Sequence, residues 1–365
     1  MRPIDIQPHL YDTQLSDKQN AVVELFSTLN LPSIEIFSSA SLHYRMRAEF
    51  RIWHDGGEMY HIMFDSDTKE KYRVDHFPPG TENINQAMSE LMRLITPNAI
   101  LRRKLYQIDY LTGLSGELLI SLIYRRPLDE VWLEEAKKLK AILAKSFNIH
   151  LIGRARKQKL ILDQDYILET LPICDRNFIF KHIENSFTQP NAAVNCKMIA
   201  WAKAAVGMND DDLLELYCGA GNFTLPLAEN FRQVLATEIA KSSVQAAQYN
   251  IDKNQMDNVH IIQMSSEEFS AHITTGEYAK KMRQLKWSDF TCRTVLVDPP
   301  RCGLDDETLA LVQRFQRIVY ISCNPDTLLA NAHQLSKTHN ISHFALFDQF
   351  PYTHHSEVGM VFERF

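Results

Sequence analysis

The sequence predicts an α/β protein whose second half is a doubly wound, seven-stranded, Rossmann-like sheet, preceded by an α+β domain. From residue 205 onward, short runs rich in Val, Ile and Leu alternate with segments of helical periodicity. Strands that alternate with such helices form parallel sheets through crossover connections. Since 365 residues exceed the usual size of one domain, we expect two domains, at residues 1–178 and 179–365.

Seven strands and several helices are predicted in the second domain. Because the last two strands are joined without a helix, we expect that pair to be antiparallel. Ligands of such sheets bind at the carboxyl ends of the strands, so the loops after strands one, two, four and five form the candidate site. The predicted strands are 213–218, 233–239, 259–264, 294–297, 317–322, 342–347 and 360–365, and the predicted helices are 241–254, 305–315 and 325–336.

The first domain shows mixed periodicity. Alternating apolar residues predict strands, and apolar spacings of three and four predict helices. We interpret 179–187 as a segment that leads into the second domain, with a helix as the suggested conformation. The predicted strands are 42–53, 59–64 and 118–124, and the predicted helices are 83–96 and 129–145.

The charge is uneven along the chain. Apolar residues at 45% and charged residues at 23% are globular values, which exclude disordered and fibrous classes. A formal net charge of −6 argues against a polyanionic partner, yet residues 101–160 carry 13 basic and 6 acidic side chains. Two interpretations stay open: a patch that faces phosphates, or solvated helix faces with Lys137 and Lys138 beside Glu134 and Glu135.

The sequence predicts neither membrane insertion nor metal binding. The N-terminus has no charged-then-apolar signal pattern, and no apolar run approaches the ~18 residues of a membrane helix. We therefore expect a cytoplasmic protein without a membrane partner. The six cysteines contain no Cys-x-x-Cys pair, a spacing that predicts neither a zinc site nor an iron–sulfur cluster.

A glycine-rich turn follows the first strand of the second domain, in the run 215–222 (ELYCGAGN). Glycines let the backbone turn tightly and approach a bound nucleoside. A nicotinamide dinucleotide fingerprint would have a third glycine where Thr224 stands. Glu238 ends the second strand, where a carboxylate accepts hydrogen bonds from a ribose diol. The alternative is a tight turn with a surface acid.

The fourth strand is followed by Asp298-Pro-Pro-Arg301. This run resembles the substrate loop of S-adenosylmethionine-dependent methyltransferases, and a proline-stiffened turn with a solvated acid is the alternative. Enzymes that methylate exocyclic amines usually place an aromatic residue after the prolines, to stack on the flipped base. Because this chain has Arg301 there, amine methylation is disfavoured but stays open.

The fifth strand is followed by Ser-Cys323-Asn-Pro325. Pro325 suits the first position of a helix, and a helix N-terminus favours a thiolate. Cys323 is therefore the candidate nucleophile. Cys302, four residues after Asp298, is its rival, since a cysteine in the corresponding loop takes part in RNA cytosine carbon methyltransferases. The other four cysteines are predicted to be buried.

The run 350–357 (FPYTHHSE) joins the last two strands. His354 and His355 invite a metal site, but no second ligand cluster accompanies them. Glu357 as a general base is the more economical interpretation, and a solvated loop is the alternative. We predict that no metal is bound.

These parts suit one reaction. Carbon 5 of a pyrimidine is too poor a nucleophile to take a methyl group until a thiolate has added to carbon 6. A base must then remove the proton left on carbon 5 before the thiolate can leave. Cys323 fits the nucleophile and Glu357 fits the base, beside a cofactor site.

Taken together, the motifs resemble those of the RNA uridine carbon-5 methyltransferase family. They are Phe-Thr-Gln189-Pro-Asn, Tyr217-Cys-Gly-Ala-Gly-Asn222, Asp298-Pro-Pro-Arg, Ser-Cys323-Asn-Pro and Phe-Pro-x-Thr-x-His-x-Glu357. The resemblance implies S-adenosylmethionine as the cofactor and the same roles for Cys323 and Glu357. It assigns cofactor binding to Gln189, Tyr217, Gly219, Gly221, Asn222, Glu238 and Asp298.

Two departures select a branch of that family. Ribosomal-RNA members typically begin with a small barrel domain and carry four clustered cysteines, whereas this chain has only Cys174 before residue 179. It is more similar to the bacterial tRNA branch, which implies ribothymidine formation in the T-loop of tRNA, with other T-loop-like RNAs as an option and no protein partner. Exocyclic-amine methylation, and an RNA-binding or folding factor in which methylation is secondary, stay open as alternatives.

The branch also implies that the first domain binds the T-arm of tRNA. The target base must be flipped out of a folded loop, and phosphate contacts and stacking are the expected interactions. The candidate contact residues are Arg45, Arg47, Arg51, Tyr44 and Trp53, with core packing as the alternative for the two aromatic residues.

Overall fold

The computed structural model describes residues 2–277, 279–282 and 285–365. The strands are β1 Glu35–Phe37, β2 Arg47–Asp55, β3 Glu58–Phe64, β4 Lys71–Arg73, β5 Leu105–Thr112, β6 Glu117–Tyr124, β7 Asn148–Ala155, β8 Gln158–Ile161, β9 Tyr166–Ile173, β10 Arg176–Ile183, β11 Asp212–Leu216, β12 Val234–Glu238, β13 Val259–Gln263, β14 Cys292–Val297, β15 Arg317–Ser322, β16 His339–Phe347 and β17 Glu357–Arg364. The α-helices are α1 Tyr11–Leu25, α2 Glu82–Ile95, α3 Ala99–Arg102, α4 Glu130–Leu143, α5 Ala192–Val206, α6 Thr224–Leu227, α7 Lys241–Asn254, α8 Ser266–Thr275, α9 Asp306–Val312 and α10 Pro325–Leu335.

The chain forms two compact units. Unit 1 comprises Met1–His9, Ala40–Thr170 and His182–Ala192, and unit 2 comprises Leu10–Ser39, Leu171–Lys181 and Ala193–Phe365. This division differs from a single boundary between residues 178 and 179. The physical reason is strand pairing, because β1 pairs in parallel with β16 and so joins an early segment to the second half of the chain.

Unit 2 is built on an eight-stranded sheet in the order β1-β16-β17-β15-β14-β11-β12-β13. All seven predicted strands occur in it, and β1 is an eighth that the sequence did not indicate. Strand β17 is antiparallel to both of its neighbours, β15 and β16, so the prediction of an antiparallel last pair is confirmed. The doubly wound α/β fold class is confirmed as well.

The order of strands reverses at β11. Strands β12 and β13 extend the sheet on one side of β11, and β14 and β15 extend it on the other. A reversal of this kind opens a crevice at the carboxyl ends of the two central strands. Leu216 at the end of β11 pairs with Val297 at the end of β14. The glycine-rich turn and the Asp298 loop therefore begin side by side.

Unit 1 contains a seven-stranded sheet in the order β4-β3-β2-β5-β6-β7-β8. Strands β6 and β7 pair in parallel, whereas the other neighbours are antiparallel. Helices α2 and α4 occupy the positions that periodicity predicts, and their apolar residues join a core with Phe50, Tyr110 and Trp132. Unit 1 is thus the expected α+β domain, with part of its first 39 residues assigned to unit 2.

The expected helix at 179–187 is wrong. Arg176–Ile183 is strand β10, which pairs with β9 in a two-stranded sheet. Phe178 and Phe180 are buried on one face of the strand, while the residues between and beside them are more exposed. Burial with a period of two favours a strand over a helix.

Gly153 in β7 allows the close approach of Trp132 from α4. A Cβ atom at position 153 would lie 2.1 Å from Cη2 of Trp132, which is fully buried. We expect Gly153→Ala to lower the free energy of unfolding by about 1–3 kcal/mol because the core must repack. A lower Tm in scanning calorimetry measures the effect. Gly57→Ala is the control, since no described atom beyond its chain neighbours lies within 4 Å of the added Cβ, and equal Tm values for the two variants would contradict this account.

Candidate active site

The turn after β11 holds three residues in the left-handed backbone region. Tyr217, Gly219 and Gly221 have φ angles of 63°, 55° and 88°. A Cβ at Gly221 would lie 2.4 Å from Cδ1 of Leu225, whereas at Gly219 no described atom beyond the chain neighbours lies within 4 Å. A side chain at position 221 would therefore collide with Leu225, so packing requires glycine there. At position 219 the space beside the backbone is open. A left-handed tyrosine is a strained residue of the kind that clusters at functional sites.

Glu238 closes this turn from the end of β12. Its Oε2 accepts a hydrogen bond from the N–H of Gly219 at 3.0 Å, and its Oε1 accepts one from the N–H of Ala240 at 2.6 Å. A carboxylate oxygen has two lone pairs, so each oxygen keeps one for a ligand. The structure thus brings Glu238 to the glycine-rich turn, and its role toward a ribose diol stays a prediction.

Asn222 is fixed by a residue that sequence reasoning did not identify. Asn195 in α5 exchanges two amide hydrogen bonds with it, of 2.8 and 2.9 Å. Asn250 in α7 donates to the carbonyl of Ala220 at 2.9 Å. The turn is therefore held both by a helix that precedes it in sequence, α5, and by one that follows it, α7. Gln189 lies in unit 1, in a segment without regular secondary structure, and its cofactor role stays a prediction.

Glu215 is a carboxyl buried within β11. It is 1% exposed, and its Oε2 has no hydrogen-bond partner among the described residues. Burial raises the pKa of Glu215 to about 8, and the charge of Asp298 adds to the rise. Since buried carboxyl oxygens normally have a hydrogen-bond partner, this unsatisfied oxygen marks Glu215 as an unusual residue near the turn that sequence reasoning did not identify.

Three of the candidate residues lie at adjacent strand ends. Strands β15 and β17 pair through Ser322 and Val358, so Cys323 and Glu357, the next residues outward, adjoin at the edge of the sheet. The parallel neighbour β14 ends one strand further along, with Asp298 in its loop. The structure therefore brings Cys323, Glu357 and Asp298 together.

The electrostatics of this edge differ from expectation. Burial raises the pKa of the Cys323 thiol to about 11; Glu357 and Asp298 add to the rise, and Arg301 opposes it. Burial, followed by the charge of Asp298, raises the pKa of Glu357 well above its usual value, and burial also raises the pKa of Asp298. The prediction that a helix N-terminus favours the Cys323 thiolate is wrong here, because burial and two carboxyls outweigh that effect.

Asn324 ties two of the loops together. Helix α10 begins at Pro325, as predicted, and Oδ1 of Asn324 accepts the N–H of Asp326 at 3.3 Å as its N-cap. The amide nitrogen of the same side chain donates to the carbonyl of Arg301 at 2.7 Å. The loop after β14 is thus attached to the loop after β15. An Asn-Pro pair is a recognised turn signal, which could have pointed to this residue.

The other five cysteines differ in exposure. Cys302 is exposed in the turn after β14, with its Sγ 3.8 Å from the carbonyl of Gly303. Cys218 is buried, and burial raises its pKa far above the usual value. The prediction of burial is wrong for Cys174, which is exposed, and holds only in part for the two that are half-buried, Cys196 and Cys292.

The loop between β16 and β17 leaves His354 and His355 exposed and buries Glu357. Within the described part of the chain, no group of three or more His, Cys, Asp or Glu side chains is arranged to hold a metal ion. No helix in the same residues is long and apolar enough to cross a membrane.

Known proteins share this sequence and fold. The tRNA (uracil-5-)-methyltransferase family matches residues 10–365. A tRNA/tmRNA (uracil-C(5))-methyltransferase of Pseudoalteromonas atlantica is 56% identical over 364 residues and covers 100% of both chains. The protein of the same name from Vibrio parahaemolyticus is 51% identical over 370 residues, again across 100% of both chains. The crystal structure of Pyrococcus abyssi tRNA (uracil-54, C5)-methyltransferase in complex with S-adenosyl-L-homocysteine has a TM-score of 0.72 and 19% identity, covering 96% of this chain and 83% of that chain.

The sheet order and the polar residues at its strand ends define a Rossmann-like methyltransferase fold. The chain belongs to the tRNA (uracil-5-)-methyltransferase family. The family resemblance and the enzyme class predicted from the motifs are therefore confirmed.

The raised pKa of Cys323 predicts slow alkylation at neutral pH. Since the thiolate is the reactive form, we expect iodoacetamide labelling of Cys323 to accelerate as the pH rises toward about 11. In Glu357→Gln the profile should shift to lower pH, because a negative charge near the thiolate is removed. Peptide mass spectrometry measures both rates, with exposed Cys302 in the same sample as the internal control. Identical Cys323 profiles in the two proteins would contradict this electrostatic account.

Proposed function

We propose that this chain transfers a methyl group from S-adenosylmethionine to carbon 5 of a uridine in the T-loop of tRNA, forming ribothymidine. The family supports uracil methylation in tRNA. The relative from Pyrococcus abyssi is named for uracil 54 and was crystallised with S-adenosyl-L-homocysteine, the product that remains after such a transfer. The observation that carries the proposal is the juxtaposition of Cys323 and Glu357 at one sheet edge. A cytoplasmic location is part of the same proposal.

The turn after β11 fits the cofactor. Gly219 leaves space at its backbone, and Glu238 is oriented with lone pairs to spare. The buried Oε2 of Glu215, which has no hydrogen-bond partner among the described residues, lies in the strand that leads into this turn. S-adenosylmethionine, when bound, supplies a methyl group on a positively charged sulfonium. The residues proposed to hold it are Gln189, Tyr217, Gly219, Gly221, Asn222, Glu238 and Asp298.

Cys323 acts as the nucleophile in this proposal. Once the half-buried thiol has given its proton to water, its sulfur adds to carbon 6 of the uracil, and the ring electrons displaced by the new bond make carbon 5 able to take the methyl group. With a pKa of about 11, the thiol is protonated in the free protein at neutral pH. A positive charge near the sulfur lowers that pKa, and Arg301 already acts in this direction.

Glu357 acts as the base. It takes the proton from carbon 5 after methyl transfer, the electrons of that C–H bond restore the carbon 5–carbon 6 double bond, and the carbon 6–sulfur bond breaks to release Cys323 as a thiolate. A raised pKa makes the ionised carboxylate a stronger base. Burial at 2% exposure also keeps water from competing for the role.

Unit 1 is proposed to bind the RNA through paired cations and aromatic rings. Tyr106 lies between the guanidinium groups of Arg51 and Arg125, whose central carbons are 4.0 and 3.6 Å from its ring centre. Trp53 is 39% exposed, with Nζ of Lys71 2.9 Å from its ring centre. Rings and guanidinium planes stack on unpaired bases while the cations attract phosphates. Nη1 of Arg51 is buried and without a hydrogen-bond partner among the described residues.

The burial and hydrogen bonds of these side chains support some of the RNA contacts proposed from sequence more than others. Tyr44 is buried at 7% exposure, which supports core packing rather than stacking. Arg45 and Arg47 donate to backbone carbonyls, and Arg47 also pairs with a glutamate. Of the five candidate RNA-contact residues named from the sequence, Arg51 and Trp53 are therefore the best supported.

The basic stretch 101–160 is partly engaged in structural contacts. Arg102 and Arg126 donate to backbone carbonyls, and Arg154 and Lys159 pair with Glu184. Two lysines of α4 pair with glutamates one turn earlier, which supports the solvated-face interpretation for them. Within the described residues, the exposed basic side chains of this stretch that form no ion pair are Arg103, Lys104, Arg125, Lys145, Arg156 and Lys157.

Methyl transfer to tRNA tests the function directly. With methyl-labelled S-adenosylmethionine and tRNA, we expect label in 5-methyluridine at one T-loop position, located by nucleoside and fragment mass spectrometry. A transcript with cytidine at that position should accept no label. Cys323→Ala should lower the methyl-transfer rate by at least about 10³-fold and abolish the denaturation-stable RNA adduct. Cys302→Ala should leave the rate unchanged and still form the adduct. A methylated adenosine or guanosine, or an adduct lost only in Cys302→Ala, would overturn the proposal.

Removing the base should trap the reaction after methyl transfer. We expect Glu357→Gln to accumulate a covalent RNA–protein adduct that already carries the methyl label, because the proton on carbon 5 can no longer leave. Denaturing gel electrophoresis with label detection measures it. Glu363→Gln on the same strand, whose carboxylate pairs with Arg317 at 2.6 Å, is the matched control and should release product normally. Equal adduct levels in the two variants would point to another base.

A further inference from the structure

We propose that helix α1 positions Glu357 for proton abstraction by fixing the loop 348–356 that leads into it. Tyr11, Gln14 and Lys18 would thus be positioning residues for the release step. The inference rests on the proposed role of Glu357 as the base, and all the residues involved belong to unit 2.

Helix α1 binds the loop mainly through the side chain of Asp348. It directly follows β16, and its side chain is fully buried. The hydroxyl of Tyr11 and the amide nitrogen of Gln14 donate to its Oδ2 at 2.9 Å each, and Nζ of Lys18 donates to its Oδ1 at 2.7 Å. Residues at spacings of three and seven share one helix face, so a single face of α1 satisfies this carboxylate.

The same face also binds the backbone of the loop. Nζ of Lys18 donates to the carbonyl of Phe350 at 2.6 Å, and the N–H of Tyr352 donates to Oε1 of Gln14 at 3.1 Å. Tyr352 has a left-handed φ of 60°, and its ring meets that of Tyr11 edge-on at 6.0 Å. A non-glycine residue keeps such a conformation only where its surroundings impose it. The contacts from α1 are therefore part of what gives the loop its shape.

The loop ends at Glu357, at the edge of the sheet where Glu357 adjoins Cys323. Phe347 pairs with Glu357 across β16 and β17, so Asp348 and Ser356 are the first and last residues of the connection. Both are buried. A shift at Asp348 is therefore passed to the start of β17 and changes the distance between Glu357 and Cys323. Misplacement by about 1 Å can cost a reaction step roughly 100-fold in rate.

Docking of α1 does not depend on this polar face alone. Val22 lies in the core of unit 2, together with Phe26 just beyond the helix. The ring of Phe26 contacts that of Phe344 edge-on at 5.6 Å. These apolar contacts hold the helix in place independently of its hydrogen bonds to the loop. A single residue among Tyr11, Gln14 and Lys18 can therefore be changed while the helix keeps its position.

The test measures how fast the methylated RNA adduct breaks down. We expect Gln14→Ala and Lys18→Met to slow breakdown by about 10- to 100-fold, so that the methyl-labelled adduct accumulates, while S-adenosylmethionine affinity by titration calorimetry stays within twofold of the unaltered protein. Asn20→Ala, at an exposed position of the same helix, is the matched control and should show no accumulation. Should Lys18→Met fail to fold, Gln14→Ala and Tyr11→Phe carry the test, since both keep the pair of Lys18 with Asp348.

The outcomes separate this inference from the proposed function. Lowered Tm with all steps slowed alike and no adduct would mean that α1 only supports the fold, and would overturn the inference. Accumulation in Glu357→Gln together with normal breakdown in Gln14→Ala and Lys18→Met would overturn it while leaving the base assignment intact. If Glu357→Gln itself accumulates no adduct, the proposed base and the inference built on it both fail.

Discussion

The insertion of β17 between β15 and β16, antiparallel to both, is the constraint on which the site depends. Because β17 runs against its neighbours, its first residue stands where theirs end. Glu357 thereby adjoins Cys323 at the edge that also receives the Asp298 loop. A parallel strand in the same slot would begin at the opposite edge, roughly 20 Å away at 3.3 Å per residue, and no local adjustment of the loop could recover the contact.

Burial gives this edge its chemical character. A thiol and two carboxyls share it, and burial raises the pKa of each. Burial therefore disfavours the charged form of each group, and charge on one opposes charge on the others. Such a site responds to cations, since a positive charge brought to the edge relieves all three at once. Burial also raises the pKa of the Glu215 carboxyl in β11, whose Oε2 has no hydrogen-bond partner among the described residues. The strand that leads into the glycine-rich turn therefore carries a buried carboxyl of the same kind.

Local pattern predicted the elements whose signal is local. Helix α7 spans the predicted 241–254, and the strands of the parallel sheet are the apolar runs that were identified as strands, because burial on both faces leaves a continuous signal. Strand β1 has three residues, too few to show a period, and its place depends on β16, far along the chain. Lys18 carried no signal either, since its partner Asp348 lies 330 residues away. The motifs located Cys323 and Glu357, but the raised pKa of Cys323 depends on three strands converging, which no spacing reveals.

The composition of unit 2 from early and late segments bears on how the protein is made. Residues 10–39 are synthesised some 300 residues before their partners in β16 and the Asp348 loop. At about 5–20 residues per second, that delay is roughly 15–60 s. The last segment of unit 1 ends at residue 192, before any strand from β11 onward has been synthesised. The edge where Cys323 adjoins Glu357 therefore cannot form until β15 and β17 have both been synthesised, well after the last segment of unit 1.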